Sequence, residues 1–426
     1  MARNLTNGLQ RGLRRSISGG FGAGDIFTIA PLDLRFAQQK TLDPRITFTR
    51  ASSGTFVGSD GLIKTATTNE ARFDHNPTTG ESLGLLVEEQ RTNLLLRSEE
   101  LSNATWAKDF TVATADQATA PNGTLTADKV AEDSTTNFHA ISQYVSGFAS
   151  GAVASLSIYA KAAGRTKFRI QTDSTGGSGT ADFDLSAVTA TSGTGVFSAG
   201  SIQAVGDGWY CCSVRCTTSG AGAIGLKVIL AATTYGTSYA GDGTSGIYLW
   251  GAQLEAGSFP TSYIPTTTAT VTRSADVASI TGANFSSWYR QDEGTVFAET
   301  RQLGDVLGFA FAVSDGTDNN RIAQFRNTTT LSSRNVRSGT AANPGNIAIA
   351  SSQALVKSAI ASIAGNSGAA ANGVAATDSA PVAMPTVDRL QIALGAPGST
   401  PINGTIRRFT YWPTRLSNST LQEITR

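Results

Sequence analysis

The feature that most constrains this chain is a two-residue alternation of apolar and polar side chains that recurs in short segments. Leu156, Ile158 and Ala160 alternate with Ser157, Tyr159 and Lys161; Phe168 and Ile170 repeat the pattern, as do Ile224, Leu226, Val228 and Leu230. Tyr210, Cys212, Val214 and Cys216 share one face of another such segment. Successive side chains of a strand point to opposite faces, so this period builds half-buried sheets and does not suit helices. The segment from Gly246 to Glu255 is apolar on both faces, as a strand in a sandwich core should be. Composition agrees. Charged residues make up 15% of the chain, well below the usual quarter, and the 45 glycines favour tight turns between short strands. Helical heptads are missing. The expected fold class is all-β.

Turn and linker signals divide the chain. Residues 98–272 hold the regular strand segments separated by Gly- and Thr-rich loops, which indicates a jelly-roll-like sandwich. Pro260, Pro265 and a run of threonines then read as a linker. Residues 273–426 form a second β module, with strand segments at 294–299, 309–313, 388–394 and 403–412 and hairpin dipeptides Asn372-Gly373 and Asn403-Gly404. Its tail suits a short helix, with Ser419 and Gln422 at capping-box spacing. Residues 31–97 read as an extended β connector, and residues 1–30 as a basic, Gly-rich N-terminal arm.

Several motifs together carry a resemblance. They are Asp43-Pro44-Arg45-Ile46-Thr47-Phe48-Thr49-Arg50-Ala51-Ser52, Gly84-Leu85-Leu86-Val87-Glu88, Arg91-Thr92-Asn93-Leu94-Leu95, and Ser98 followed by Trp106. This pattern resembles a module junction of structural proteins on the surface of tailed-phage virions, where it feeds a carbohydrate-binding-module-like jelly roll. Asp207-Gly208-Trp209-Tyr210 and the stretch Leu249–Glu255 look like matching strands of such jelly rolls. Pro413, Arg415, Leu416 and Ser417 match the Pro-x-Arg-Leu-Ser stretch into which the closing strand of a concanavalin A-like or laminin-G-like sandwich leads. The resemblance implies a tail fibre subunit that docks by its arm, forms a homotrimer and presents its sandwiches to host-surface glycans. A head fibre or capsid decoration protein is the alternative within that class, and a polysaccharide depolymerase is the alternative outside it. The implied location is the virion surface, after synthesis in the host cytoplasm without a signal peptide.

The remaining chemistry is sparse. A net charge of +1 argues against a nucleic-acid binder, and no apolar run is long enough to span a bilayer. Two Gly-x-Gly-x-x-Gly matches, at Gly220 and Gly241, are each followed by strand-like residues where a phosphate-binding helix would be required. His75 and His139 lie in no triad-like setting, and the second module lacks the paired carboxylates of a glycosidase, with Glu299 alone on its strand. No enzyme activity and no cofactor are expected. Cys211, Cys212 and Cys216 are odd in number and crowded, which suits reduced structural cysteines. Asp315, Asp318, Asn319 and Asn320 offer hard oxygens that could hold a structural calcium, although an Asp-Gly turn explains them as well.

Sugar sites on sandwiches combine an aromatic platform with Asp, Asn or Gln groups for hydroxyls. Tyr235, Tyr239 and Asp242 share one flexible loop and are the candidate glycan-binding residues, with padding of the sandwich rim as the plainer reading. In the arm, Leu5, Leu9 and Leu13 share a helical face, and Arg3, Arg11, Arg14 and Arg15 supply charge with no acid before Asp25. These are the candidate attachment residues, through which other virion proteins would be met. The same composition is shared by organellar transit peptides.

Overall fold

The computed structural model describes residues 26–426 with the exception of residues 352, 382, 397 and 399. The attachment candidates Arg3, Leu5, Leu9, Arg11, Leu13, Arg14 and Arg15 lie outside the described residues. The fold is all-β and consists of β-sandwich modules, as the alternation requires. The chain divides into two compact units, one built from residues 50–82 and 90–275 and the other, among the described residues, from 26–49, 83–89 and 276–426. Residues 31–97, read from sequence as a connector, are thus shared out as strands and turns of both units.

In the unit that carries the expected jelly roll, two antiparallel sheets face each other. One runs in the order Phe197–Gly206, Trp209–Thr217, Val153–Ala163, Gly246–Ala256, Leu125–Glu132, Thr111–Thr119. The other runs Thr189–Ala190, Gly177–Asp184, Lys167–Ser174, Gly222–Ala231, Ala140–Phe148, Ala107–Asp109. The alternating residues do what their period demands: Ile224, Leu226, Val228 and Leu230 meet Leu156, Ile158, Phe168 and Ile170 in one buried core. Phe168 stacks on Phe183 with ring centroids 5.2 Å apart. Cys212 and Cys216 are packed in that core, Cys211 faces the opposite side, and all three are free thiols. Burial pushes the Cys211 thiol up to about 12, so it stays protonated at neutral pH. The residues after both Gly-x-Gly-x-x-Gly matches are strands, Gly222–Ala231 and Gly246–Ala256, so neither match opens a helix.

Part of the outer face of the first sheet is covered by a second, smaller core in which Trp209, Trp250, Tyr263, Ala120 and Ala127 pack with Ile63 and Tyr159. Tyr263 comes from the stretch expected to be a linker, and that expectation is corrected here. Phe259, Tyr263, Ile264 and Thr266 are buried, and polar side chains of the sandwich pin the stretch down. Gln253 accepts from the Ile264 amide at 2.7 Å, Glu255 accepts from the Thr261 amide at 2.9 Å, and Ser98 accepts from the Thr266 amide at 2.8 Å. The segment reads as a linker in sequence because much of what holds it is its own backbone, whose amides are satisfied by polar side chains from elsewhere in the unit.

In the other unit one sheet runs Val374–Ala375, Asn366–Ala371, Val356–Ile363, Glu293–Gln302, Gly404–Trp412, Ser82–Val87, with Leu32–Leu34 also on the Gly404–Trp412 strand. The second runs Thr47–Thr49, Val277–Thr281, Arg389–Ile392, Gly308–Ser314, Arg321–Asn327, Thr330–Arg337, Thr340–Ala341. Gly84, in the Gly-Leu-Leu-Val-Glu motif, has φ +95°, and a Cβ there would stand 2.2 Å from the Ile406 carbonyl oxygen, so the strand crossing admits only glycine. The closing helix Asn418–Ile424 buries Leu421 and Ile424 against Phe297 and Trp412. Its cap is Ser417, whose side chain accepts from the Thr420 amide, and not the expected Ser419. The described end of the arm joins the same core: the Ile26 carbonyl accepts from the Trp412 indole at 2.9 Å, and Arg408 lies 3.7 Å over the Phe27 ring.

Candidate functional site

The loop singled out from sequence is held from within. The strand pair Thr136–Asn137 and Tyr239–Ala240 closes it. The Tyr239 hydroxyl donates to the fully buried Glu132 at 2.7 Å, and the Asp242 amide donates to the same carboxylate at 2.9 Å. Arg165 forks onto Glu132, with its Nε at 2.8 Å, and its guanidinium sits 5.5 Å from the Tyr239 ring centre. Burial would raise the Glu132 carboxyl, but the hydrogen bonds from Arg165, Tyr239 and the Asp242 amide outweigh it and hold the group below the usual range. His139 packs edge-on against Tyr239 and is itself fully buried, its Nδ1 2.6 Å from the Phe110 carbonyl oxygen. One Asp242 oxygen accepts from the Thr244 amide at 2.7 Å and the Ser245 amide at 2.6 Å. Tyr235 is half-buried, with the Lys167 ammonium 5.7 Å from its ring centre. The structure therefore brings Tyr239 and Asp242 together around Glu132 and Arg165. Tyr235 stands apart beside Lys167.

A second surface of the same unit carries groups that the sequence reading missed. On the outer face of the Lys167–Ser174, Gly222–Ala231 and Ala140–Phe148 strands, Tyr144 lies directly opposite Gly225 in the register. Its ring occupies the space above that glycine: a Cβ on Gly225 would come within 2.3 Å of a Tyr144 ring carbon. The ring stays open to solvent at 41% exposure. Its hydroxyl donates to Asp173, and the other oxygen of that carboxylate accepts from Gln171 at 3.1 Å and from Lys227 at 3.3 Å. Burial together with the Asp173 carboxylate pushes the Tyr144 hydroxyl well above its usual range, so it remains a hydrogen-bond donor at any physiological pH. Burial opposes ionisation of Asp173, but the bonds from Tyr144 and Lys227 keep it below the usual carboxylate range. Farther along the same face Lys167 pairs with Asp184 and Arg169 with Asp182, each pair directly cross-strand. This is an aromatic plate ringed by polar groups whose positions the sheet sets.

The other unit offers less. Asp315 accepts from the Thr317 amide at 2.9 Å and from Asn320 at 2.8 Å, and Asp318 pairs with Arg321, which is the arrangement of a turn. Among the described residues no group of three or more His, Cys, Asp or Glu side chains could hold a metal ion. Glu299 faces Arg407 at 3.5 Å, and the buried Glu293 accepts from the Arg415 amide at 2.9 Å. Among the described residues no helix is long and apolar enough to cross a membrane.

No protein-family model matches the chain, and no curated protein matches it. Among solved structures, the CBM40 module of the Ruminococcus gnavus IT-sialidase bound to α2,3-sialyllactose is similar at 15% identity and a TM-score of 0.29, over 32% of this chain and 84% of that one. Domains LG4-5 of the mouse laminin α1 chain are similar at 10% identity and a TM-score of 0.25, over 67% of this chain and 88% of theirs. The likeness is one of β-sandwich architecture alone.

Proposed function

We propose that this chain is a non-enzymatic structural subunit of a tailed-phage virion surface, a tail fibre in the first instance, whose first sandwich binds a host-surface glycan. The observation that carries the binding role is the Tyr144 ring, open to solvent and seated on Gly225, with Asp173, Gln171 and Lys227 at its edge. Pyranose rings present an apolar C–H face and a rim of hydroxyls. An exposed aromatic face next to a carboxylate and an amide meets both needs. Part of the opposite face of this sandwich is covered by the chain's own residues around Trp250 and Tyr263, whereas the Tyr144 ring stays open to solvent. The virion placement rests on the junction motifs around Gly84 and Arg91 and on the closing Pro413–Ser417 pattern.

The test is binding of the purified protein to host cells and to an oligosaccharide array, with Tyr144→Ala compared to wild type. Aromatic stacking contributes on the order of 1 kcal/mol, so the variant should bind about fivefold more weakly with an unchanged melting curve. Equal binding by the two proteins would remove this face from the reading.

A further inference from the structure

The charges around Tyr144 say which sugars the face can take. We infer that it accepts neutral, hydroxyl-rich saccharides and discriminates against carboxylated or sulfated ones; this rests on the glycan-binding reading above. An anionic sugar needs a cation whose charge is not already balanced by a carboxylate, because its own charge must be compensated as it leaves water. Here every cation on the face already faces a carboxylate. Lys167 is 3.5 Å from Asp184, Arg169 forks onto Asp182 with Nε at 2.6 Å, and Lys227 is 3.3 Å from Asp173. Asp109 is left over. It lies on the edge strand Ala107–Asp109 directly opposite Ala140, two residues from Ser142 and four from Tyr144 on the same face. Its carboxylate has no hydrogen-bond or ion-pair partner among the described residues, and its field reaches the Tyr144 hydroxyl. Three cations against four carboxylates leave a surplus negative charge at the edge of the plate.

The polar groups that remain are suited to hydroxyls. Asp173 and Asp109 accept, while Gln171 and Lys227 can each offer hydrogens beyond those they share with Asp173. A hydroxyl, being donor and acceptor at once, fits such a set without any ion pair having to open.

The experiment is titration of the full chain with matched probes, lactose and α2,3-sialyllactose, beside an array holding neutral oligosaccharides and their uronic or sulfated counterparts. For the pairs that bind, the neutral member should be tighter by about threefold or more at low salt, which is the size of one like-charge contact near 6 Å in water. The difference should shrink as salt rises. Asp109→Lys should narrow it, and Tyr144→Ala should weaken both members, with thermal melting showing that the variants are folded. Tyr144-dependent binding in which the acidic member is equal or tighter would overturn the charge preference while leaving the glycan role standing. Binding to no saccharide at all would overturn both.

Discussion

Asn93 shows how much one residue of the junction motif does. It is fully buried, and its amide nitrogen donates to the Ala252 and Ile264 carbonyls at 3.1 and 2.9 Å. Its oxygen accepts from the Leu95 and Leu254 amides, both at 3.1 Å. One side chain therefore satisfies four backbone groups from three segments, and no apolar residue can replace it. Asn93→Leu should leave those groups unpaired and cost about 3 kcal/mol or more, read as a lower urea midpoint with little change in slope. A loss below about 1 kcal/mol would mean that water replaces the side chain. Arg50 and Ser98 in the same motifs act alike: Arg50 donates to the Thr67 carbonyl at 2.8 Å, and the Ser98 hydroxyl lies 2.7 Å from that of Tyr263. The motifs are conspicuous in sequence because buried backbone demands particular polar side chains.

At the scale of the element, the Tyr239–Asp242 loop depends on the ionisation of Glu132. Its folded-state carboxyl is held below the ordinary glutamate value of about 4.5, so its contribution is fully present above that pH and is lost as pH falls through the lower folded value. The melting temperature should therefore fall as pH drops from about 5 toward 3, and Glu132→Gln should remove part of that slope while lowering stability at neutral pH. A pH profile identical in the variant would show that other carboxylates govern acid sensitivity. The same network explains why Tyr239 is a poor platform. Its hydroxyl and ring are already engaged by Glu132, Arg165 and His139, so Tyr239→Ala should lower the melting temperature well before it changes adsorption.

For the whole molecule, both sandwiches are built from described residues that begin at Ile26, so deleting residues 1–24 should leave a folded, soluble protein with an unchanged melting curve. The proposed role predicts that this truncated protein sediments as the same homo-oligomer, a trimer on the present reading, yet is absent from particles assembled in its presence. Normal incorporation would remove the arm from the attachment role. Incubation of the full chain with host capsule or lipopolysaccharide should release no reducing ends. Turnover that Glu299→Gln abolished would instead establish a depolymerase.

Much of this architecture was legible because alternation is local. A residue's neighbours two positions away reveal which face it lies on, so Ile224 to Leu230 and Cys212 with Cys216 could be placed in a core from sequence alone, and the all-β class followed. Which residues meet across strands was not legible. Tyr144 is an open plate because the register sets it on Gly225, and Asp173 reaches its hydroxyl from two strands away. The buried course of Phe259–Thr266 depends on Asn93, Ser98 and Gln253, up to about 170 residues distant in the chain. Sequence by itself determined the faces; tertiary structure decided the site, because register and backbone pairing are set by contacts between segments whose separation along the chain carries no signal.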